Sequence, residues 1–186
     1  MSLNDVDWSL IPAPSDDGGA DHLEGKKLPD VRLPGTHGKS VNLGAQRGLT
    51  VIYIYPMTGR PDRDLPEDWD DIPGARGCTP QSCAFRDHFK ELRGYGVDNL
   101  FGVSTQATDY QQEAAERLHL PFPLLSDKDG ALRAALDLPS MEVDGQTLLK
   151  RLTMIVRDGK IAHVFYPVFP PDQDADNVIG WLTANA

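Results

Sequence analysis

The run Thr-Val-Ile-Tyr-Ile-Tyr at residues 50–55 constrains the fold of this chain more than any other segment. Every residue in it is β-branched or aromatic, and no charged residue interrupts it. A strand with one solvated face alternates apolar and polar residues, whereas a strand covered on both faces does not. Residues 50–55 are therefore predicted to form the central strand of a sheet that is covered on both faces.

Strand and helix patterns alternate along the rest of the chain. We predict a hairpin over 28–43, a helix over 82–93, a strand over 100–103, a helix over 109–118, a strand over 122–125, a helix over 129–136, a hairpin over 152–165 with its turn at Asp158-Gly159, and a helix over 174–183. This order indicates an α/β domain with a central mixed β-sheet flanked by helices. It is compatible with a thioredoxin-like fold, although the pattern alone leaves other α/β folds open.

The length of 186 residues fits one compact domain. Residues 1–27 are rich in Pro, Asp, Gly and Ser, which is typical of an extension that lies over a domain. We expect this N-terminal extension to be at most partly ordered and the domain to comprise residues 28–186.

Charge and hydropathy exclude several partners. The chain has 18 Lys and Arg against 28 Asp and Glu, a net charge of −10, which is the wrong sign for gripping nucleic acid. Its most apolar stretch, residues 51–57, is far shorter than the ~20 residues that span a bilayer, so we expect no membrane association. Residues 1–25 lack the basic region and apolar core of a secretory signal, so we expect a cytoplasmic location.

Two cysteines carry the strongest chemical signal. They cannot form a disulfide framework, and in a reducing cytosol a close pair is more often catalytic or metal-binding than structural. Cys78 lies at the join between a loop rich in Gly and Pro and the predicted helix. In the first turn of a helix, the helix dipole and free N–H groups favour a thiolate. Cys78 is therefore placed to act as a nucleophile. Arg76 and Arg86 could add positive potential there, or simply be solvated surface charges.

Cys83 follows Cys78 by five residues. On a regular helix this spacing turns Cys83 by ~140° and separates the two Cα atoms by roughly 8 to 9 Å, whereas a disulfide needs less than about 7 Å. The pair therefore implies either no disulfide or local unwinding of the helix, and a buried, inert Cys83 stays possible. We expect no metal, because the histidines lack ligand spacing: His22, His37, His88, His119 and His163.

The segment from Gly77 to Asp87, Gly-Cys-Thr-Pro-Gln-Ser-Cys-Ala-Phe-Arg-Asp, resembles the active-site segment of peroxiredoxins of the bacterioferritin comigratory protein, or peroxiredoxin Q, type. Further matches follow in order along the chain: Tyr53-Ile-Tyr-Pro56, Gly102-Val-Ser104, Leu120-Pro-Phe-Pro-Leu-Leu-Ser-Asp127, and Arg151-Leu-Thr153 leading to Asp158-Gly159. The resemblance covers about residues 26–184. It implies a thioredoxin-like fold and the reduction of hydrogen peroxide and organic hydroperoxides.

The resemblance also implies roles for single residues. Cys78 corresponds to the peroxidatic cysteine, which becomes a sulfenic acid, and Cys83 to the resolving cysteine, which condenses with it to an intramolecular disulfide. Arg151 corresponds to the arginine that stabilises the thiolate and orients the peroxide, and Pro56 to the proline that shapes the loop. No organic cofactor is required, and thioredoxin or a similar dithiol protein is the implied reductant. A monomer and a homodimer are equally compatible with the sequence.

One feature departs from the family. The family motif reads Pro-x-x-x-Thr-x-x-Cys, but Ala75 stands three residues before Cys78 and Pro56 stands 22 before it. About 15 extra residues have therefore entered the loop, giving an insertion at about 57–77. Our hypothesis is that the insertion loops out and returns, so that Thr58 takes the role of the missing threonine. Alternatively, Thr58 is a turn residue and the role is unfilled or taken by Thr79.

The insertion and the overall activity each leave an alternative. A long loop in a compact domain is usually functional or disordered, so residues 57–77 could form a lid over the site, shape a reductase-docking surface, or be without catalytic consequence. The leading functional prediction is a thiol peroxidase. The alternative is a peroxide-sensing redox protein without sustained turnover, whereas a thiol-disulfide oxidoreductase is disfavoured because Cys-x-x-Cys is absent.

Overall fold

The computed structural model describes residues 6–186, and within them it has nine strands and five α-helices. Their order confirms the predicted alternation of strands and helices. The strands are β1 (Arg32–Pro34), β2 (Ser40–Asn42), β3 (Leu49–Ile54), β4 (Val97–Ser104), β5 (Leu124–Ser126), β6 (Ser140–Val143), β7 (Gln146–Leu149), β8 (Leu152–Arg157) and β9 (Lys160–Phe165). The helices are α1 (Cys78–Asp87), α2 (Phe89–Gly94), α3 (Thr108–Arg117), α4 (Ala131–Leu136) and α5 (Asp174–Ala184).

Five strands form the central sheet, in the order β5-β4-β3-β8-β9. Strand β3 pairs parallel with β4 and antiparallel with β8, so the sheet is mixed. All six residues of β3 are buried, as the uninterrupted apolar run predicts. The fold is therefore the expected thioredoxin-like arrangement, with β3 at its centre.

The two faces of the sheet support two apolar clusters. Alternate residues of a strand point to opposite faces. Val51 and Tyr53 pack with helices α1, α2, α3 and α5, whereas Ile52 and Ile54 pack with α4 and with the segments that precede β3. Helix α1, which carries both cysteines, is thus fixed to one defined face.

Helix α1 is held against this face by an aromatic stack. The rings of Tyr53 and Phe85 are parallel, with centroids 4.6 Å apart, and the Tyr53 hydroxyl donates to Ser82 Oγ at 3.0 Å. A Cβ atom on Gly102 of the neighbouring strand would lie 2.6 Å from the Tyr53 ring. A glycine at this position therefore makes the room that the ring needs.

Two local predictions differ from the structure. The helix predicted over 82–93 begins earlier, at Cys78. It is also divided into α1 and α2, because His88 between them leaves the helical conformation. Neither Gly nor Pro marks this break. The β6–β7 hairpin, over residues 140–149, was not predicted, although its turn at Asp144-Gly145 is the same signal that marks the turn between β8 and β9.

The N-terminal extension packs more closely than its composition predicts. Leu23 is fully buried in the apolar cluster that includes α4. Trp8 contacts Phe169 edge to face at 5.9 Å and donates from Nε1 to the Asp172 carboxylate at 3.0 Å. Residues 6–27 therefore contact the domain at Trp8 and Leu23, and their degree of order stays a prediction, while residues 1–5 lie outside the described part.

The insertion is anchored by its own small core. Trp69 is 5% exposed and packs with Val143 and Leu148 of the β6–β7 hairpin. At the start of the insertion, Arg60 and Arg63 lie over the ring of Tyr110 on α3, each 5.5 Å from its centroid. The insertion therefore runs from α3 to the hairpin before it returns to α1.

Candidate active site

The register of the sheet brings two distant segments together. Strands β3 and β8 are antiparallel, and Ile54, the last residue of β3, pairs with Leu152, the first residue of β8. Arg151, just before β8, therefore lies at the same end of the sheet as the end of β3, where the chain leaves β3 towards Cys78. This places Arg151 beside a cysteine that is 73 residues away in sequence.

Cys78 is the first residue of helix α1 and is 3% exposed. Gly77 before it has φ 115°, in the left-handed region. A Cβ on Gly77 would lie 2.4 Å from Pro171 and 2.8 Å from Trp8, so a larger residue here is strained and also clashes. The thiol thus sits at the positive end of the helix dipole, which favours its anionic form.

Arg151 contacts the sulfur directly. Its Nη2 lies 3.3 Å from Cys78 Sγ, and the side chain is 3% exposed. The same nitrogen donates to three successive carbonyls at the end of the insertion, those of Gly74 (3.3 Å), Ala75 (3.1 Å) and Arg76 (3.2 Å). The cation therefore holds both the sulfur and the loop that leads to it. Within this geometry the thiol of Cys78 donates to the Ala75 carbonyl at 3.7 Å.

A polar network lies behind this contact. Gln81 accepts a hydrogen bond from Arg151 Nη1 through its Oε1. Its Nε2 donates to Asp174 Oδ2 at 2.7 Å, and Thr153 Oγ1 donates to the same oxygen at 2.6 Å. Burial raises the pKa of the Asp174 carboxyl to about 6, against the hydrogen bonds from Thr153 and Gln81. The network links α1, β8 and α5 through buried side chains.

Cys83 lies on the same continuous helix as Cys78, and both thiols are free and buried. Burial raises the pKa of the Cys83 thiol, although the nearby Arg86 opposes this. The helix spacing keeps the two sulfurs from bonding while α1 is intact. Of the two residues, Cys78 alone combines a helix N-terminus with a contacting cation.

Thr58 is fully buried after the end of β3, but its hydroxyl bonds to another group. Its Oγ1 donates to Gln106 Oε1 at 3.3 Å, and its backbone N–H donates to the same oxygen at 3.2 Å. The hydrogen bonds of Cys78 Sγ go to Arg151 and to Ala75 instead. The role of Thr58 at the peroxide stays a prediction, as does the loop-shaping role of the buried Pro56.

Two site residues, Gln81 and Asp174, escaped the sequence analysis. Gln81 follows Cys78 by three residues, a spacing that places both on one helix face, so this signal was available. Asp174 carries no such signal, because an acidic residue at the start of a helix is ordinarily a solvated capping residue.

Among the described residues, no cluster of three or more His, Cys, Asp and Glu could hold a metal ion. No helix in this part of the chain is both long and apolar enough to cross a membrane.

Comparisons with known proteins identify relatives of this chain. Residues 23–179 match the family model described as Redoxin. The chain is 33% identical over 167 residues to Peroxiredoxin Bcp of Escherichia coli K12, covering 87% of this chain and 96% of that protein. It is 29% identical over 161 residues to the chloroplastic Peroxiredoxin Q of Sedum lineare, covering 86% and 77%.

Solved structures of peroxiredoxins also resemble this chain. Peroxidoxin BcpB from Mycobacterium tuberculosis superimposes with a TM-score of 0.71 at 27% identity, covering 89% of this chain and 99% of that one. A Peroxiredoxin Q structure from Xanthomonas campestris gives a TM-score of 0.65 at 25% identity, covering 87% and 96%. The matched sequence, the thioredoxin-like sheet and the buried Cys78–Arg151 contact coincide. This chain therefore belongs to the redoxin family and, within it, to the peroxiredoxins of the bacterioferritin comigratory protein and peroxiredoxin Q type.

Proposed function

We propose that this protein is a thiol-dependent peroxidase in which Cys78 reduces hydrogen peroxide and organic hydroperoxides. The observation that carries the proposal is the 3.3 Å contact between Arg151 Nη2 and Cys78 Sγ at the first residue of α1. A helix N-terminus and a guanidinium together favour the thiolate, which is the reactive form of a cysteine. Both also supply fixed donors for the oxygen on which charge develops.

In the first step, the Cys78 thiolate attacks one peroxide oxygen. An S–O bond forms, the O–O bond breaks, and the leaving oxygen takes a proton and departs as water or an alcohol. Cys78 becomes a sulfenic acid and the peroxide is reduced. Arg151, already in contact with the sulfur, is available to hold the reacting oxygens in line.

In the second step, Cys83 attacks the sulfenic sulfur. A disulfide forms and water leaves, so the two thiols have supplied the two electrons that the peroxide consumed. Because both cysteines lie on α1, this step requires the first turns of the helix to unwind. The sulfurs would then be exposed to a partner, which supports recycling by thioredoxin or a similar dithiol protein. The cytoplasmic location and the monomeric or homodimeric state stay predictions from the sequence.

A cavity of about 140 Å³ borders Arg151 between the N-terminal extension and the insertion. Pro73, Met141 and Pro167 contribute apolar walls. A cavity of roughly this size holds a group about as large as benzene, but Cys78 does not line it, so the cavity is not assigned to the peroxide.

The predicted role of Thr58 is tested by the Thr58→Val substitution. Valine keeps the volume but removes the hydroxyl, so a hydroxyl that reaches the peroxide on substrate binding would be lost. We expect kcat/KM for hydrogen peroxide to fall about tenfold or more. Peroxide consumption coupled to a dithiol reductant measures the effect, and Thr79→Val is the matched control for the alternative threonine. An unchanged rate constant in Thr58→Val would overturn the hypothesis.

The roles of the two cysteines are tested together by mass spectrometry after one equivalent of hydrogen peroxide. We expect an intramolecular Cys78–Cys83 disulfide in the wild type and a sulfenic acid on Cys78 in Cys83→Ser. If Cys78 is oxidised but never pairs with Cys83, the protein requires an outside thiol. If neither cysteine reacts, the proposed function is wrong.

The peroxide-sensing alternative is separated from the peroxidase by turnover. A peroxidase consumes many equivalents of peroxide when a dithiol reductant is supplied, whereas a sensor is oxidised once and recycles slowly. We expect sustained consumption at a rate far above that of a free thiol. Oxidation of Cys78 without sustained consumption would favour the sensor.

A further inference from the structure

A carboxylate without access to solvent lies behind the Cys78–Arg151 contact. Asp174, the first residue of α5, is 0% exposed. Its Oδ2 accepts from Gln81 and from Thr153, whereas its Oδ1 has no hydrogen-bond partner. Buried acidic groups are costly and are ordinarily paired with a cation or fully hydrogen-bonded. Asp174 is neither paired directly with a cation nor fully hydrogen-bonded, so its burial calls for another reason.

The Gln81 amide connects this carboxylate to the active-site arginine. A glutamine amide has a donor end and an acceptor end. The Asp174 carboxylate accepts only, so it binds the Nε2 end at 2.7 Å and leaves Oε1 facing Arg151 Nη1. The opposite orientation would set the amide NH₂ against the guanidinium N–H groups and the Oε1 against the carboxylate. The position of the acceptor on Asp174 thus determines which end of Gln81 meets Arg151.

We propose that Asp174 is a positioning residue, whose carboxylate fixes the orientation of the Gln81 amide and thereby holds the Arg151 guanidinium at Cys78 Sγ for the reaction with peroxide. Asp174 does not touch the sulfur, and its hydrogen-bond contact with the site runs through Gln81. The proposal rests on the proposed function of Cys78 and Arg151. It adds the group that keeps the arginine in place.

The surroundings of Asp174 make its role dependent on pH. Burial raises the pKa of this carboxyl to about 6. Above that pH the carboxylate accepts from Gln81, whereas below it the protonated form is also a donor and no longer fixes the amide. Arg151 is the charged group that acts on Asp174, while α1 and β8 present the neutral Gln81 and Thr153. The other ionisable groups on α1, on α5 and on the turn before α5 are Cys78, Cys83, Arg86, Asp87, Asp172 and Asp176, while His88 follows α1 and Arg157 ends β8.

Two rate constants separate the position of Arg151 from the reactivity of the thiol. Alkylation of Cys78 by iodoacetamide depends mainly on the thiolate population. The single-turnover reaction with hydrogen peroxide also needs donors aligned with the peroxide oxygens. The ratio of the peroxide rate constant to the iodoacetamide rate constant therefore reports whether the Arg151 guanidinium is in position. Both constants are measured in the Cys83→Ser background, so that Cys78 is the single reacting thiol.

In Asp174→Leu we expect the peroxide rate constant to fall about tenfold, with a much smaller change in the iodoacetamide constant. Gln81→Leu is expected to give a similar loss. Because both residues act in one chain of hydrogen bonds, the double variant is expected to lose no more than either single variant. Asp176→Asn, an exposed acid on the same helix, is the matched control and is expected to leave the ratio unchanged.

Asp174→Asn gives a second test that does not depend on the fold tolerating leucine. Asparagine carries both an acceptor and a donor, as the protonated carboxyl does, and it does not titrate. In the wild type we expect the ratio to fall as the pH drops through about 6, because Asp174 becomes protonated. In Asp174→Asn we expect the low ratio of the protonated wild type at every pH, with no such fall. His88→Gln, which removes the partner of Asp176, controls for that neighbouring ion pair.

The outcomes distinguish the positioning role of Asp174 from the proposed peroxidase function on which it rests. A wild-type Cys78 that reacts with hydrogen peroxide no faster than free cysteine would overturn the peroxidase function, and the role of Asp174 with it. A fast wild type whose ratio is unaffected in folded Asp174→Leu and Gln81→Leu would overturn the positioning role alone. If Asp174→Leu does not fold, the pH test replaces it. In that case, an identical decrease of the ratio below pH 6 in the wild type and in Asp174→Asn would overturn the positioning role.

Discussion

The Cys78→Ser variant is expected to lose peroxidase activity by a factor of about a thousand or more. A serine hydroxyl is not ionised at neutral pH and is a poor nucleophile at an O–O bond, so the helix N-terminus and Arg151 then have no anion to stabilise. Cys83 is not a substitute, because burial raises the pKa of its thiol and no arginine hydrogen bond to its sulfur is present in the described structure. The measurement is consumption of hydrogen peroxide coupled to a dithiol reductant.

Cys83→Ser is the matched control for this prediction. It changes the same atom type on the same helix, but it removes only the second step. We therefore expect Cys83→Ser to reduce one equivalent of peroxide at nearly the wild-type rate and to stop there. Equal single-turnover rates in Cys78→Ser and the wild type would show that the reaction occurs elsewhere in the molecule.

The second large effect is expected for Arg151→Met, with a loss of about a hundredfold in the single-turnover rate constant with hydrogen peroxide. Methionine retains much of the buried stem but removes the donors to Cys78 Sγ and to the loop carbonyls. Removing one donor aimed at a developing negative charge typically costs about 10²- to 10³-fold. Arg151→Lys keeps the charge without the planar fork, so an intermediate loss is expected.

Arg86→Met is the control for Arg151→Met. The sequence presents Arg86 as a possible source of positive potential at Cys78, but the structure pairs it with Asp87 and with the Leu118 carbonyl. Substituting it is therefore expected to change the rate constant by less than about threefold. Circular dichroism and thermal melting establish that both variants are folded. A comparable loss in Arg86→Met would show that general positive potential, and not the contact of Arg151, activates the thiol.

The structure also explains how helix α1 is held before it unwinds. Trp8 and Pro171 pack against Gly77 at its start, and the Tyr53–Phe85 stack fixes its middle. Each of these contacts must loosen if Cys83 is to reach Cys78. The N-terminal extension is therefore part of the surface that a disulfide-forming transition disturbs, although its composition marks it only as a polar segment.

Much of the fold was predictable because its determinants are local. The apolar run at 50–55 identifies a strand buried on both faces, and Asp158-Gly159 identifies the turn between β8 and β9. The same local logic identifies Cys78 as a thiol at a helix start. It also identifies Cys83 as too distant along the helix to form a disulfide without unwinding. Where it failed, at the break between α1 and α2, no Gly or Pro marks the change.

The sequence by itself thus determined most of the element order, the nucleophile and its separation from the second cysteine. Only the tertiary structure decided which side chains surround that nucleophile. The pairing of β3 with β8 brings Arg151 to Cys78, the packing of α5 on α1 brings Asp174 to Gln81, and the insertion returns its carbonyls to Arg151. Residue periodicity shows which face of an element is buried, but the partner on that face depends on strand register and helix packing between segments far apart in the chain.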